Sequence, residues 1–272
     1  MKIFTLNGPK TALNIFAGIC IFALIYFGFV HNSGAVVVSG EPVRTSYLAI
    51  VINGFGHSGG GTRELMYLDI PLTTGVMPGA PYAEDDARRL IANGKEVIIY
   101  MPMEARNMRG VRLPEINIMN SHTRAEARAA MLKSKDQIRG ARGFSNHLGS
   151  KVMENEELVS TILNTAMESN LYFIDLHSAN RSKAPELAEG LGMNIYVPDI
   201  ALDSSSDIRR IERSLRRAAR EADQNGFAIA IGNIGEGCGK ATAQAIKNMS
   251  EELSQMGVTF VTMSELIAKM RL

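Results

Sequence analysis

Five side chains of this 272-residue chain are of types that do chemistry and follow short apolar runs: His57, His147, His177, Glu104 and Asp175. Three neutral imidazoles brought together suit zinc, with a fourth position open for a water that the metal acidifies. Glu104 or Asp175 is then the candidate general base. Each has a plainer alternative. No local His-x-x-x-His spacing supports a metal, so the histidines also read as ordinary hydrogen-bonding residues, and Glu104 and Asp175 also read as partners of Arg106 and Arg181 in structural bridges. The cofactor expectation is therefore none or zinc. His31 and His122 read as loop residues.

Two glycine patterns are decoys. Gly54-x-Gly56-x-x-Gly59 follows an apolar run, as a dinucleotide-binding turn must, but about 20 residues on, where a ribose-binding carboxylate belongs, the chain reads Thr73-Thr74-Gly75-Val76. Gly59-Gly60-Gly61 is then expected to make a flexible turn. Gly235 to Lys240 resembles a phosphate loop but has Ile234 where its first glycine belongs and Ala241 where Ser or Thr must follow the lysine.

The elements that position these residues alternate. Apolar runs predict eight strands, at Tyr47–Ile52, Thr73–Val76, Glu96–Tyr100, Arg142–Ser145, Leu171–Asp175, Asn194–Val197, Phe227–Ile231 and Val258–Thr262. Between them, apolar residues spaced by three and four predict helices at Ala83–Asn93, Thr123–Arg139, Asn155–Ser169, Ser206–Asn225 and Ala241–Met256. Gly94, Gly192, Gly226 and Gly257 stand where helix C-terminal caps should, just before strands. Such alternation implies a mainly parallel sheet covered by helices, closed as a barrel or open and doubly wound, with ligands at the carboxyl ends of the strands. Asn53, Tyr100, Asn146 and Asn233 occupy such ends and are the candidate ligand-binding residues. The helix carrying Arg209, Arg210, Arg213, Arg216, Arg217 and Arg220 is interleaved with Asp207, Glu212, Glu221 and Asp223 and reads as a solvated outer face.

Composition narrows the partners. Hydrophobic residues make up 46% and charged residues 21%, which excludes a disordered chain. Lys and Arg (29) nearly balance Asp and Glu (28), so the basic surplus that phosphate backbones require is missing and nucleic acid is not an expected partner. Cys20 lies inside an apolar segment, which excludes a disulfide framework and leaves Cys238 a lone thiol. That segment, Thr11–Val30, carries no charge over 20 residues. As a helix it spans about 30 Å, the thickness of a bilayer core. Lys2 and Lys10 precede it, and the first acidic residue is Glu41. The positive-inside rule then keeps residues 1–10 in the cytoplasm, makes 11–30 a transmembrane anchor or uncleaved signal and 31–46 a linker, and puts residues 47–272 outside the cytoplasm, in the periplasm or at the cell exterior. Cleavage near Ser33-Gly34-Ala35 would instead secrete the domain.

Five segments in order carry a family resemblance: Leu48–Gly56, Val97–Glu104, Phe144–Ser150, Tyr172–Asp175 and Ala228–Gly232, with Leu202-Asp203 and Ser264-Glu265-Leu266 also in place. From Tyr47 onward the chain resembles the divergent polysaccharide deacetylase family. The resemblance implies an α/β fold, a distorted (β/α) barrel of seven to eight mainly parallel strands, here preceded by one N-terminal transmembrane helix. It also implies removal of acetyl groups from amino sugars by a metal-bound water, with a catalytic and a metal-binding Asp ending the first strand and histidines as further ligands.

By that resemblance, the Asp pair falls on Asn53 and Gly54, and two histidines fall on Tyr100 and Asn233, while His147, Glu104 and Asp175 keep their places. Asn is no carboxylate base, and Gly54 has no ligand atom in a side chain. The expectation is a membrane-anchored, deacetylase-like barrel whose hydrolysis is impaired or lost and which binds a cell-envelope polysaccharide or an envelope protein. The alternative is an active deacetylase with a relocated zinc site on His57, His147 and His177.

Overall fold

The structure, a computed structural model, describes residues 45–271. The expected membrane segment Thr11–Val30 and most of the linker lie outside the described residues, and among the described residues no helix is long and apolar enough to cross a membrane.

Nine strands form one sheet: β1 Ser46–Phe55, β2 Thr73–Val76, β3 Glu96–Met103, β4 Gly143–Leu148, β5 Tyr172–Ile174, β6 Ile195–Tyr196, β7 Ile200–Ala201, β8 Phe227–Asn233 and β9 Val258–Val261. Their order is β6-β5-β4-β3-β2-β1-β8-β7, β9 pairs with the start of β1, and every pairing is parallel. The sheet is curled, with β6 and β7 as its two ends, rather than hydrogen-bonded shut. The strand count corrects the expected seven to eight, because Ile200–Ala201 is a two-residue strand with no apolar run to announce it.

Among the described residues, seven α-helices lie between these strands, α1 Thr62–Met66, α2 Ala83–Ala92, α3 Arg124–Gln137, α4 Glu156–Glu168, α5 Ala184–Gly190, α6 Ile208–Asn225 and α7 Gly239–Gln255, and α8 Met263–Met270 follows the last. Thr123 and Thr262 close capping boxes with Glu126 and Glu265, and Asp207 caps α6 through Arg209 and Arg210. Gly94, Gly192, Gly226 and Gly257 all have positive φ, as expected of caps. On α6, Ile211, Leu215, Ala218 and Ala222 are buried, while Arg216 reaches out to Glu252. The arginine-rich face is thus a solvated one.

Strand alternation separates two cores. Leu48, Ile50 and Ile52 of β1 join Ile99 of β3, Phe144 of β4 and Phe173 of β5 in the layer that receives the helices. Ala49 and Val51 point the other way and meet Ile98, Ile174 and Ile229 inside the curl, closed below by Met263, Leu266 and Ile267 of α8. Continuing the inner register upward gives Asn53, Tyr100, Ser145 and Asn233 as the next layer, at the carboxyl ends of the strands.

The turn after β1 is a close contact, not the flexible turn expected from its three glycines. A methyl group on Gly61, whose φ is +101°, would overlap the backbone of Gly239 and Lys240 at the start of α7. Gly61→Ala should therefore cost about 2–4 kcal/mol of stability. Gly60→Ala, with open space around it to 3.9 Å, should stay within about 0.5 kcal/mol in the same urea titration.

Candidate functional site

The inner layer opens into a cleft of about 490 Å3, lined among others by His57, Met77, Tyr100, His147, Asp203, Asn233 and Cys238. Asn53 is its floor. The side chain is 0% exposed, its Oδ1 accepts from the Ser145 hydroxyl at 3.5 Å, and its Nδ2 has no partner. Gly75 of β2, in register with Asn53, is required here because a Cβ would run into Asn53 Oδ1. Above the floor, the Tyr100 hydroxyl and His147 Nδ1 are hydrogen-bonded at 2.8 Å, and the rings meet edge to face, 4.8 Å apart. Burial, and then the Asp203 carboxylate, push the Tyr100 hydroxyl well above the ordinary range, so it stays protonated. Burial, and then the charge of His57, pull the His147 imidazole down, which favours its neutral form.

Asp203 faces Tyr100 and accepts a hydrogen bond from the Asn233 backbone N–H, while the Cys238 thiol donates to the Asp203 carbonyl at 3.7 Å. His57 is exposed, its Nε2 3.3 Å from Met77 Sδ. Met77 and Cys238 are cleft residues that the sequence reading did not single out as a site, whereas Asp203 stands at a strand end and in the Leu202-Asp203 pair that carries the resemblance. Met77 directly follows β2 and Asp203 lies just past β7, so the strand-end rule that found the others applies to them as well.

Other candidates do not join this group. Asn146 and Asp175 have the outward register of Phe144 and Phe173. Asn146 donates to Ser178 Oγ (2.8 Å) and the Leu148 carbonyl (3.1 Å) and accepts from the Leu176 N–H (3.0 Å), which ties the β5 exit to β4. Asp175, 1% exposed, accepts from the His177 N–H at 2.9 Å through Oδ1, its Oδ2 has no partner, and burial raises its pKa. His177 itself is exposed and outside the cleft lining. The carboxylate of Glu104 is bonded to Lys151 (2.6 Å) and the Asn120 N–H (2.7 Å), which hold its pKa below the usual range and make it a poor base. The bridges imagined for Glu104 and Asp175 go elsewhere: Arg106 and Arg181 both pair with Glu154.

The mouth also holds backbone strain. Among the described residues, positive φ outside glycine occurs at Ser58, Leu148, Asn170 and His177, and all but Asn170 follow or end strands at this rim. Such residues concentrate where a fold presents a ligand site.

The family's zinc does not fit these residues. The β1 end offers a buried amide at Asn53 and a bare backbone at Gly54, Tyr100 stays protonated, and His177 stands apart from His57 and His147. Among the described residues no three His, Cys, Asp or Glu side chains form a metal-binding group. The expected three-imidazole convergence is reduced to a pair, because His177 belongs to a loop turned outward from β5.

The curled parallel sheet is a fold shared with family 4 carbohydrate esterases. The chain belongs to the divergent polysaccharide deacetylase family, whose model matches residues 50–267. It is 26% identical over 221 residues to the uncharacterized protein YibQ of Escherichia coli, covering 81% of this chain and 68% of that one. It superposes on the crystal structure of an uncharacterized protein of Agrobacterium tumefaciens with a TM-score of 0.74 and 22% identity, over 82% of this chain and 89% of the other. A CE4 family pseudoenzyme of Bacillus anthracis shares the fold at a TM-score of 0.50 and 13% identity, over 82% and 65%.

Two substitutions test the electrostatics. Asn53→Asp places a charge where no cation waits, which raises the folded-state pKa above the unfolded value of about 3.9. The variant should lose about 3–5 kcal/mol at pH 7 and recover toward the parent as pH falls and the carboxyl protonates. Asp175→Asn should act oppositely. The raised pKa of Asp175 favours folding only while the group is protonated and is a liability once pH rises through the folded value. The variant is expected to gain stability relative to the parent at neutral pH and lose that gain on acidification, measured by denaturant titration from pH 3 to 8.

Proposed function

We propose that this protein is a non-hydrolysing member of its family that binds an N-acetylated glycan of the cell envelope. One observation carries the reading: the end of β1, where the resemblance puts a catalytic and a metal-binding Asp, presents the buried amide of Asn53 and then Gly54 at φ +97°. A Cβ on Gly54 would meet only ordinary contacts, the nearest 3.5 Å away at Ile234 N, so it is the backbone conformation rather than space that disfavours a carboxylate there.

What remains suits a sugar. Tyr100 gives an aromatic edge, Tyr100, His147 and Asp203 give uncharged and charged hydrogen-bonding groups, and Met77 and Ile234 give apolar wall. The pseudoenzyme of the same fold supports the idea that this architecture persists without hydrolysis. We place the domain outside the cytoplasm, tethered by residues 11–30, on the strength of that segment's uncharged length and the lysines before it.

The test pairs two assays on the full chain. Calorimetric titration with oligomers of N-acetylglucosamine should show binding that Tyr100→Phe weakens about tenfold, roughly 1.4 kcal/mol. No acetate should be released with or without added divalent metal. Acetate release that a chelator abolishes would overturn the reading in favour of the relocated zinc site, and failure to bind any oligomer would turn it toward an envelope protein as ligand.

A further inference from the structure

The cleft continues past its own rim. A second lobe of about 360 Å3 runs toward Arg112 and Pro114. The residues common to both lobes are His57, Met77 and His147. They form the waist between the lobes, and they are a chemical set of their own: two imidazoles and a thioether, all uncharged when the rings are neutral.

We infer that this waist is a binding site for a soft monovalent cation, Cu(I), held by His57, Met77 and His147. Thioether and imidazole donors suit Cu(I), whereas zinc takes imidazole, thiolate or carboxylate, and here the third donor beside the two imidazoles is a thioether. Geometry agrees. His57 Nε2 and Met77 Sδ stand 3.3 Å apart, about the separation of two ligands at roughly 2.0 and 2.3 Å from one ion. The third ligand is oriented from behind: the Tyr100 hydroxyl occupies Nδ1 of His147 at 2.8 Å and so leaves Nε2 for a metal. A partner on the far ring nitrogen is the usual support of a metal-binding histidine. Met77 is buried at 7% exposure, so its sulfur is held by the fold rather than offered from a mobile chain.

This site shares Met77 and His147 with the cleft proposed for a glycan, but its binding is read without sugar, and it differs from the water-activating zinc that the mouth does not accommodate. It also gives a role to the contact that His57 makes with Met77 across 20 positions of sequence.

The experiment is an anaerobic titration of the full chain with Cu(I) against a chromophoric Cu(I) chelator, read without any sugar present. The parent should withdraw one equivalent, and Cys238→Ser, which removes the cleft's thiol, should withdraw the same. His57→Ala and the volume-conserving Met77→Leu should each lose at least about tenfold in affinity. His57 is exposed, so its variant keeps the fold, which a denaturant titration verifies. No withdrawal by the parent, parent-like affinity in both waist variants, loss of binding in Cys238→Ser, or Zn(II) held at this waist as tightly as Cu(I) would each overturn the inference. Glycan titrations on the same variants separate its failure from failure of the glycan-binding reading.

Discussion

β1 has neighbours on both edges along nearly its whole length: β8 beside Tyr47–Asn53, β9 beside Ser46–Ala49 and β2 beside Val51–Phe55. Leu48 through Asn53 are all buried, so both faces of the strand lie in dry core and its backbone groups depend on parallel ladders. Such a strand tolerates only apolar side chains until it reaches the mouth. From Leu48 onward the first polar one is Asn53, and it arrives while still fully buried. An ionised group at that point needs a counter-charge to repay its lost hydration. Without one, an amide is what the position accepts, and even the amide leaves one nitrogen unpartnered, a cost of about 1–3 kcal/mol.

The residues around Asn53 are adjusted to it and to one another. Gly75 gives up a side chain so that the amide can lie across β2. Tyr100 stands over the same glycine, its Cβ 3.3 Å from where a Gly75 methyl would be, and sends its hydroxyl to His147. Ser145 supplies the hydrogen bond from β4. The remaining cleft carboxylate, Asp203, is turned toward the Asn233 N–H. These contacts make one interlocked, largely uncharged layer.

Much of this was legible in the sequence. Long apolar runs located β1 to β6, β8 and β9, and the glycine caps marked the helix ends, because both signals come from short-range physics. Ile200–Ala201 and the helices Thr62–Met66 and Ala184–Gly190 are shorter than any window in which periodicity can be read. At the site, strand ends alone do not tell inward from outward side chains; parity along the strand does. Counting by twos from Ile174 and Ser145 separates Asp175 and Asn146 from Tyr100, His147 and Asn233. Ion-pair partners had no such signal. Lys151 reaches Glu104 across 47 positions, and only the curled sheet brings them together.

The exit of β1 is where sequence change meets the limits of the backbone. The Ile234 N–H donates to the Asn53 carbonyl, the Met77 N–H to the Phe55 carbonyl and the Tyr82 N–H to the Gly56 carbonyl, each at 2.9 Å, while the Gly56 N–H donates to the buried Asp86 carboxylate at 2.8 Å. Three neighbouring segments thus hold a chain that passes through positive φ at both Gly54 and Gly56, and the β1–β2 register slips between Asn53 and Phe55. A side chain placed at Gly54 would be strained by the positive φ that this braced turn holds. The lack of a carboxylate at the β1 exit is therefore matched by the backbone as well as by the residues on it, and a carboxylate placed at Gly54 works against the turn that the rest of β1 enforces.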